Sequence, residues 1–183
     1  MIGLVVLAAG AGSRFGGPKQ LHPIGGRPML DRVLAAVAAA PADDRVLVVG
    51  ARADQVLEAV DLQGVRAVRC SDWADGPGRS LRAGLDALRA DVGAAIVVLG
   101  DGPDLDPRAI ERLAGAHRAA PALVLYADYG GGRSHPVVLP RAVWGDLPAA
   151  GERPAATLSA QAVDCRDLRA PGDVDRPGDA GEL

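Results

Sequence analysis

The chain has 183 residues, 49% of them hydrophobic, and a formal net charge of −3 from 20 Lys+Arg against 23 Asp+Glu. That is enough apolar material for a real core, which excludes a mostly disordered chain, and it lacks the basic excess that phosphate-backbone binding requires, so nucleic acid is not the expected partner. Only Phe15, Trp73, Tyr126, Tyr129 and Trp144 are aromatic, so the core is expected to consist of Val, Leu, Ile and Ala.

In chain order, residues 2–8 are a continuous apolar run that reads as a fully buried strand, followed at once by Gly10, Gly12, Gly16 and Gly17. Pro28 opens a segment with Leu30, Val33, Leu34 and Val37 spaced i, i+3, i+4, i+7, the pattern of an amphipathic helix with proline in its first turn. Residues 45–49, 65–69 and 94–99 read as strands, with helices at 53–60 and 78–89 between them. A fourth helix is expected over 107–118 with Asp106 as its N-cap, then strands at 122–127 and 136–139 joined through Gly130, Gly131 and Gly132. The remainder predicts a helix near 154–161 and a short strand near 162–164. Alternating strands and helices predict a three-layer α/β/α fold with a Rossmann-like, mostly parallel sheet. One domain over 1–183 is expected, with ligands bound beyond the carboxyl ends of the strands.

Cys70 and Cys165 lie far apart without a nearby His, so both read as free thiols rather than zinc ligands or a disulfide framework. The longest uncharged apolar stretch, residues 2–13, is shorter than the roughly 18 residues of a membrane span. No basic segment precedes it, as a signal peptide would require. The expectation is a soluble cytoplasmic protein with no membrane contact.

Residues 7–21, LAAGAGSRFGGPKQL, place four glycines, Arg14 and Lys19 directly after the first strand, and Lys19 is the only lysine among the 20 basic residues. Glycines let backbone N–H groups turn toward a phosphate chain, and the two cations add charge, so a triphosphate suits this loop. A P-loop is excluded because Lys19 is flanked by Pro18 and Gln20 instead of glycine and Ser/Thr. A dinucleotide site stays open as an alternative, since the glycines at 10, 12 and 16 approach its fingerprint, although Gly50, Ala51 and Arg52 supply no acidic group for a ribose. Asp101, followed by Gly102 and Pro103 at the end of an apolar strand, projects a carboxylate over the strand's edge, a donor that Mg²⁺ accepts.

These residues resemble the nucleotidyltransferases of the molybdenum-cofactor type, whose opening pattern LAAGxSxRxGxPK is matched in order by Leu7, Ala8, Ala9, Gly10, Arg14, Gly16, Pro18 and Lys19. Later pieces extend the resemblance: GGRPML at 25–30, SDWADGPGRSLRAGL at 71–85, LGDGP at 99–103, SHPVVL at 134–139, GERPA at 151–155 and DVDRPGD at 173–179. The resemblance implies a nucleotide-diphospho-sugar transferase-like fold. It also implies Mg²⁺-dependent transfer of a nucleoside monophosphate from a triphosphate to a phosphorylated acceptor, with release of pyrophosphate. It gives Lys19, Arg14 and Asp101 the catalytic roles. Leu7, Ala8, Ala9, Gly10, Gly12, Ser13, Arg14, Lys19, Gly76 and Ser80 would bind the nucleotide, with Trp73 beside them. Asp101 and Asp175, with Asp173 in reserve, would hold the metal, and His135, taken to lie in a loop, would contact the acceptor.

An acceptor phosphate is already an anionic nucleophile, so the absence of a nucleophile–base triad fits this chemistry. Ala8, Ala9 and the Pro18-Lys19 pair favour CTP over GTP within the resemblance, and the methyl of Ala9 is expected to narrow the space beside the base. Molybdopterin is the favoured acceptor, with a transient contact to a molybdoenzyme or its chaperone. Gly102 and Ser134 depart from the family pattern, which keeps sugar phosphates and isoprenoid-precursor phosphates open as acceptors. A nucleotide-binding module without turnover is the alternative of another class. Ser80 also reads as a helix cap, Trp73 as a core residue, and His22 and His117 as surface or helix-face residues.

Overall fold

The structure, a computed structural model, describes residues 1–148, 155, 156 and 158–172. The elements run β1 (Ile2–Ala8), β2 (Pro23–Ile24), β3 (Arg27–Pro28), α1 (Met29–Ala39), β4 (Asp44–Val49), α2 (Ala53–Ala59), β5 (Arg66–Arg69) and α3 (Pro77–Ala87). They continue with β6 (Ala94–Leu99), α4 (Pro107–Ala119), β7 (Val124–Asp128), β8 (Arg133–Pro140) and β9 (Ala160–Asp164). Short 3-10 turns stand at Ser13–Phe15, Lys19–Leu21, Trp73–Asp75 and Arg141–Asp146.

Among the described residues, seven strands form one sheet in the order β5-β4-β1-β6-β8-β7-β9, in which β8 runs antiparallel to both neighbours and the other pairings are parallel. This is the mostly parallel, doubly wound sheet expected from the alternation of elements. Successive residues of β1 point to opposite faces. Leu4, Val6 and Ala8 therefore join one core layer with α1, α2 and α4, while Val5 joins the other with α3 and the turn around Trp144. Leu30, Val33, Leu34 and Val37 of α1 are all fully buried, as their spacing predicts. Each such aliphatic side chain contributes about 1.5–3 kcal/mol.

From β1 the chain winds outward to β4 and β5, then returns to place β6 on the other side of β1. The winding direction thus reverses between β1 and β6, and ligands of open α/β sheets bind outside the strand ends at that reversal. The glycine loop leaves β1 there, and Asp101 follows β6, where the Gly100 N–H donates to the Leu7 carbonyl at 2.9 Å.

Several expectations need correction. Within 154–161 the described residues form a turn at Ala155 and Ala156, a bend at Leu158, and the start of β9 at Ala160 and Gln161. They form no helix, because parallel pairing of β9 with β7 captures this stretch. Pro28 precedes α1 as its cap, ending a two-residue hairpin in which Gly25 and Gly26 take φ of 61° and 80°, the left-handed values such a turn demands. His135 lies inside β8, not in a loop, because β8 starts at Arg133. His117 is buried in α4 rather than on the surface. Asp106 does cap α4, its side chain accepting from the Arg108 N–H. Both cysteines are free and buried. Among the described residues, no helix is long and apolar enough to cross a membrane.

Candidate active site

Leu7 and Ala8 end β1, and Ala9, Gly10, Ala11 and Gly12 carry the chain out of the sheet. Gly12 takes φ of 61°, and a Cβ there would overlap the Gly17 carbonyl oxygen, so the two arms of the loop touch through backbone at a point only glycine fits. Ser13 is exposed, and Arg14 follows in the same 3-10 turn with its side chain outside the described set. The returning arm ends in the turn that carries Lys19, whose Nζ lies 2.7 Å from an Asp101 carboxylate oxygen. The only lysine of the chain and the carboxylate that follows β6 thus meet across adjacent strand ends.

Next to this pair opens a cleft of about 630 Å³, lined among others by Leu7, Leu81, Leu99, Gly102, His135 and Pro171. The His135 imidazole is pushed down to a pKa of about 4, chiefly by burial. The Asp101 carboxylate acts to raise that pKa, and the Arg133 guanidinium lowers it further. At neutral pH this side chain is therefore an uncharged hydrogen-bonding group on an otherwise largely apolar wall. Arg133 spans the edge of the cleft, donating to the carbonyls of Ala155 at 2.7 Å and Leu158 at 3.1 Å while its guanidinium lies over the Tyr126 ring.

Gly76, with φ of 115°, links the Trp73–Asp75 turn to α3. Ser80 is buried in the first turns of that helix, and the nearby Cys70 thiol, pushed up chiefly by burial, donates to the Asp72 carboxylate at 3.7 Å. Trp73 packs so closely on Gly50 that a Cβ at residue 50 would stand 2.6 Å from it, which makes Trp73 a wall of the β4 and β5 loops. Ala9 is 4% exposed and belongs to the core layer on the α3 side, so its methyl packs into the core and leaves the space beside the loop as it is. Lys19 and Asp101 are thus brought together beside the cleft that holds His135, and Gly76 and Ser80 stand at the start of α3, whose Pro77 and Leu81 line the same cleft. Asp173 and Asp175 lie outside the described residues, and the last described ones, Pro171 and Gly172, rest against Gly102.

Sequence reasoning missed two residues. Gln20 is 4% exposed and donates from Nε2 to the carbonyls of Ala8 at 2.8 Å and Gly10 at 2.9 Å. Arg133 was not singled out, since its ties to the carbonyls of residues 155 and 158 are not visible as a local pattern.

Residues 4–165 match the family described as MobA-like NTP transferase domain. The chain belongs to that family. The bifunctional protein GlmU of Kineococcus radiotolerans is 41% identical over 121 residues, which cover 63% of this chain but only 24% of GlmU. The chain thus spans about a quarter of that relative's length. Nicotine blue oxidoreductase of Paenarthrobacter nicotinovorans is 33% identical, with 93% of this chain and 90% of that protein aligned. Among solved structures, Rv0371c from Mycobacterium tuberculosis in complex with manganese superimposes with a TM-score of 0.82 at 28% identity, covering 100% of this chain and 97% of that one. The shared fold is the nucleotide-diphospho-sugar transferase type, and the NTP transferase match takes in the glycine loop, Lys19, Asp101 and His135.

Proposed function

We propose that the protein transfers a nucleoside monophosphate from a nucleoside triphosphate, CTP by preference, to a phosphorylated acceptor, with molybdopterin as the favoured acceptor. The observation that supports this reading is the Lys19–Asp101 contact of 2.7 Å at the mouth of the glycine loop, which brings to one point the cation proposed to hold phosphate and the carboxylate proposed to hold the metal. A phosphate oxygen of the acceptor attacks the α-phosphorus. The bond from the α-phosphorus to the bridging oxygen of the β-phosphate breaks, and pyrophosphate leaves with that electron pair. Lys19 and Arg14 would hold phosphate oxygens, and the loop N–H groups would orient the chain of phosphates for in-line attack. The Asp101 side chain is 27% exposed and supplies the hard oxygen donor that Mg²⁺ takes, with Asp175 proposed as its second carboxylate. The metal's contribution when bound is to offset charge on the α-phosphate. His135 would donate or accept one hydrogen bond to the acceptor in the cleft. A cytoplasmic setting is part of the same proposal.

The near full-length match to nicotine blue oxidoreductase favours a second reading, reduction of a heterocyclic substrate by a nicotinamide cofactor, in which Arg52 at the end of β4 would meet a cofactor phosphate. Arg52 stands at the N-cap of α2 in the left-handed region, and Gly50, Ala51 and Arg52, which follow β4, include no acidic group for a ribose, so the transferase reading is the stronger.

One experiment separates them. The protein is incubated with each NTP, Mg²⁺ and an acceptor panel of molybdopterin, sugar phosphates and isoprenoid-precursor phosphates while pyrophosphate is followed, and in parallel with NADPH while its absorbance is followed. Pyrophosphate release with CTP and molybdopterin is the expected result, and a clear GTP preference would reject the assignment of the base. Oxidation of NADPH without pyrophosphate release would establish the second reading. Nucleotide binding with neither product would identify a binding module.

A further inference from the structure

Three consecutive carbonyls at the end of β1 are tied down on the packed side of the loop. The Ala8 and Gly10 carbonyls both accept from Gln20 Nε2, at 2.8 and 2.9 Å, and the Ala9 carbonyl accepts the Ala51 N–H at 3.0 Å. In a planar trans peptide the C=O of one residue and the N–H of the next point in opposite directions. Fixing the Ala8 and Gly10 carbonyls on Gln20 therefore aims the N–H groups of Ala9 and Ala11 away from it, and fixing the Ala9 carbonyl on Ala51 aims the Gly10 N–H away from β4.

Gln20 comes from the opposite arm of the loop, in the same turn as Lys19, so its carboxamide joins the two arms and seats the lysine as well. Two carbonyl acceptors demand the NH₂ end of the amide, which settles its orientation. The other end, Oε1, is buried without a partner among the described residues. A hydrophobic side chain would take the donor away from the Ala8 and Gly10 carbonyls, so the amide is held here for its two N–H groups, although its own Oε1 goes unmet.

We infer that Gln20 is a positioning residue of the nucleotide site, a clamp that presets the direction of the amide N–H groups that receive the triphosphate. This deepens the transferase reading and rests on it. Gln20 itself touches no phosphate. It acts by removing the rearrangement that the loop would otherwise undergo when nucleotide binds.

The test uses the full chain with Gln20→Met, which keeps the volume and removes the donor, and Gln20→Glu, which puts a carboxylate against two carbonyls. Thermal unfolding confirms that each variant is folded. In Gln20→Met, the KM for CTP is expected to rise about tenfold, a loss of about 1.4 kcal/mol, with a smaller change in kcat. In Gln20→Glu, kcat/KM is expected to be low at neutral pH and to recover as the pH is lowered, because burial raises a carboxyl pKa and the protonated acid regains one donor. Neither the wild-type protein nor Gln20→Met would show that recovery. An unchanged KM in folded Gln20→Met, or a Gln20→Glu profile that superimposes on the wild type, overturns the proposal. If the wild-type protein binds no nucleotide in calorimetry, the transferase reading fails. Hydrogen exchange over residues 9–12 of the free protein then decides the clamp by itself: faster exchange in Gln20→Met upholds it and equal exchange overturns it.

Discussion

Lys19 Nζ and the Asp101 carboxylate stand 2.7 Å apart, joining loops that leave the adjacent strands β1 and β6. The two side chains are 14% and 27% exposed, and a partly solvated pair of this kind contributes only about 0–1 kcal/mol to folding. Its importance therefore lies in the ligands each partner would take. Lys19→Met and Asp101→Asn are each expected to lower turnover about a hundredfold, the effect of losing roughly 3 kcal/mol of charge stabilisation on the reacting phosphate. Both should unfold within a few degrees of the wild type. Pyrophosphate release and a thermal melt check the two halves of this expectation, and a variant with near-normal turnover would remove its residue from the mechanism.

The same pairing makes each partner a competitor for the other's ligand. While Asp101 holds Lys19, part of the lysine's charge is already offset, so a triphosphate without metal gains little from it. Asp101→Asn should therefore bind CTP more tightly than the wild type in the presence of a chelator, although it turns over more slowly with Mg²⁺. Calorimetric titration in EDTA measures this directly, and equal or weaker binding by Asp101→Asn would contradict it.

Burial holds the folded-state pKa of His135 near 4, against 6.5 for an unperturbed imidazole. The unfolded chain thus takes up this proton near pH 6.5 while the folded chain takes it up only near pH 4. Stability from keeping His135 neutral is complete above about pH 6.5 and is lost progressively as the pH falls toward 4. His117 is lowered by burial too and adds to the decline with the same sign. Urea midpoints measured from neutral pH down to about pH 4.5 should fall more steeply in the wild type than in His135→Gln. Parallel curves would mean that His135 is solvated in the folded protein.

The strands and helices were largely legible because their apolar residues keep a regular period, as in residues 2–8 and in Leu30, Val33, Leu34 and Val37. The helix expected over 154–161 failed because a weak local pattern was overruled by pairing with β7, which no local window contains. The loop, Lys19 and Asp101 were legible through glycine chemistry and a carboxylate at a strand end. Gln20 was not, because a glutamine in a loop carries no sign of burial until the carbonyls it meets, 10 and 12 residues earlier, are placed in space. The Ala9 methyl does not narrow the space beside the loop, because just past the end of β1 it packs into the core layer with Leu81 and Leu85.

Gly102 stands where the resemblance leads one to expect a polar side chain, and the structure accounts for the difference. A Cβ at residue 102 would lie 2.8 Å from Pro171 Cβ and 3.3 Å from the Pro171 carbonyl oxygen, so residues 171 and 172 occupy the place such a side chain would need. That segment is held by the Asp104 N–H, which donates to the Pro171 carbonyl at 3.0 Å, and by Arg169, which pairs with the Asp104 carboxylate at 3.1 Å. Gly102→Ala must push the segment outward, at the roughly 1–3 kcal/mol typical of overpacking. Because the chain continues from Gly172 toward Asp175, the proposed second metal carboxylate, the same displacement should raise the Mg²⁺ concentration needed for half-maximal pyrophosphate release. Gly102→Gln should be worse on both counts, and Pro171→Gly should restore much of the loss in Gly102→Ala, since side chains in direct contact are expected to be coupled. Thermal melts and metal titrations of the two single variants and the double variant measure this coupling. Additive effects would show that residues 102 and 171 do not depend on each other.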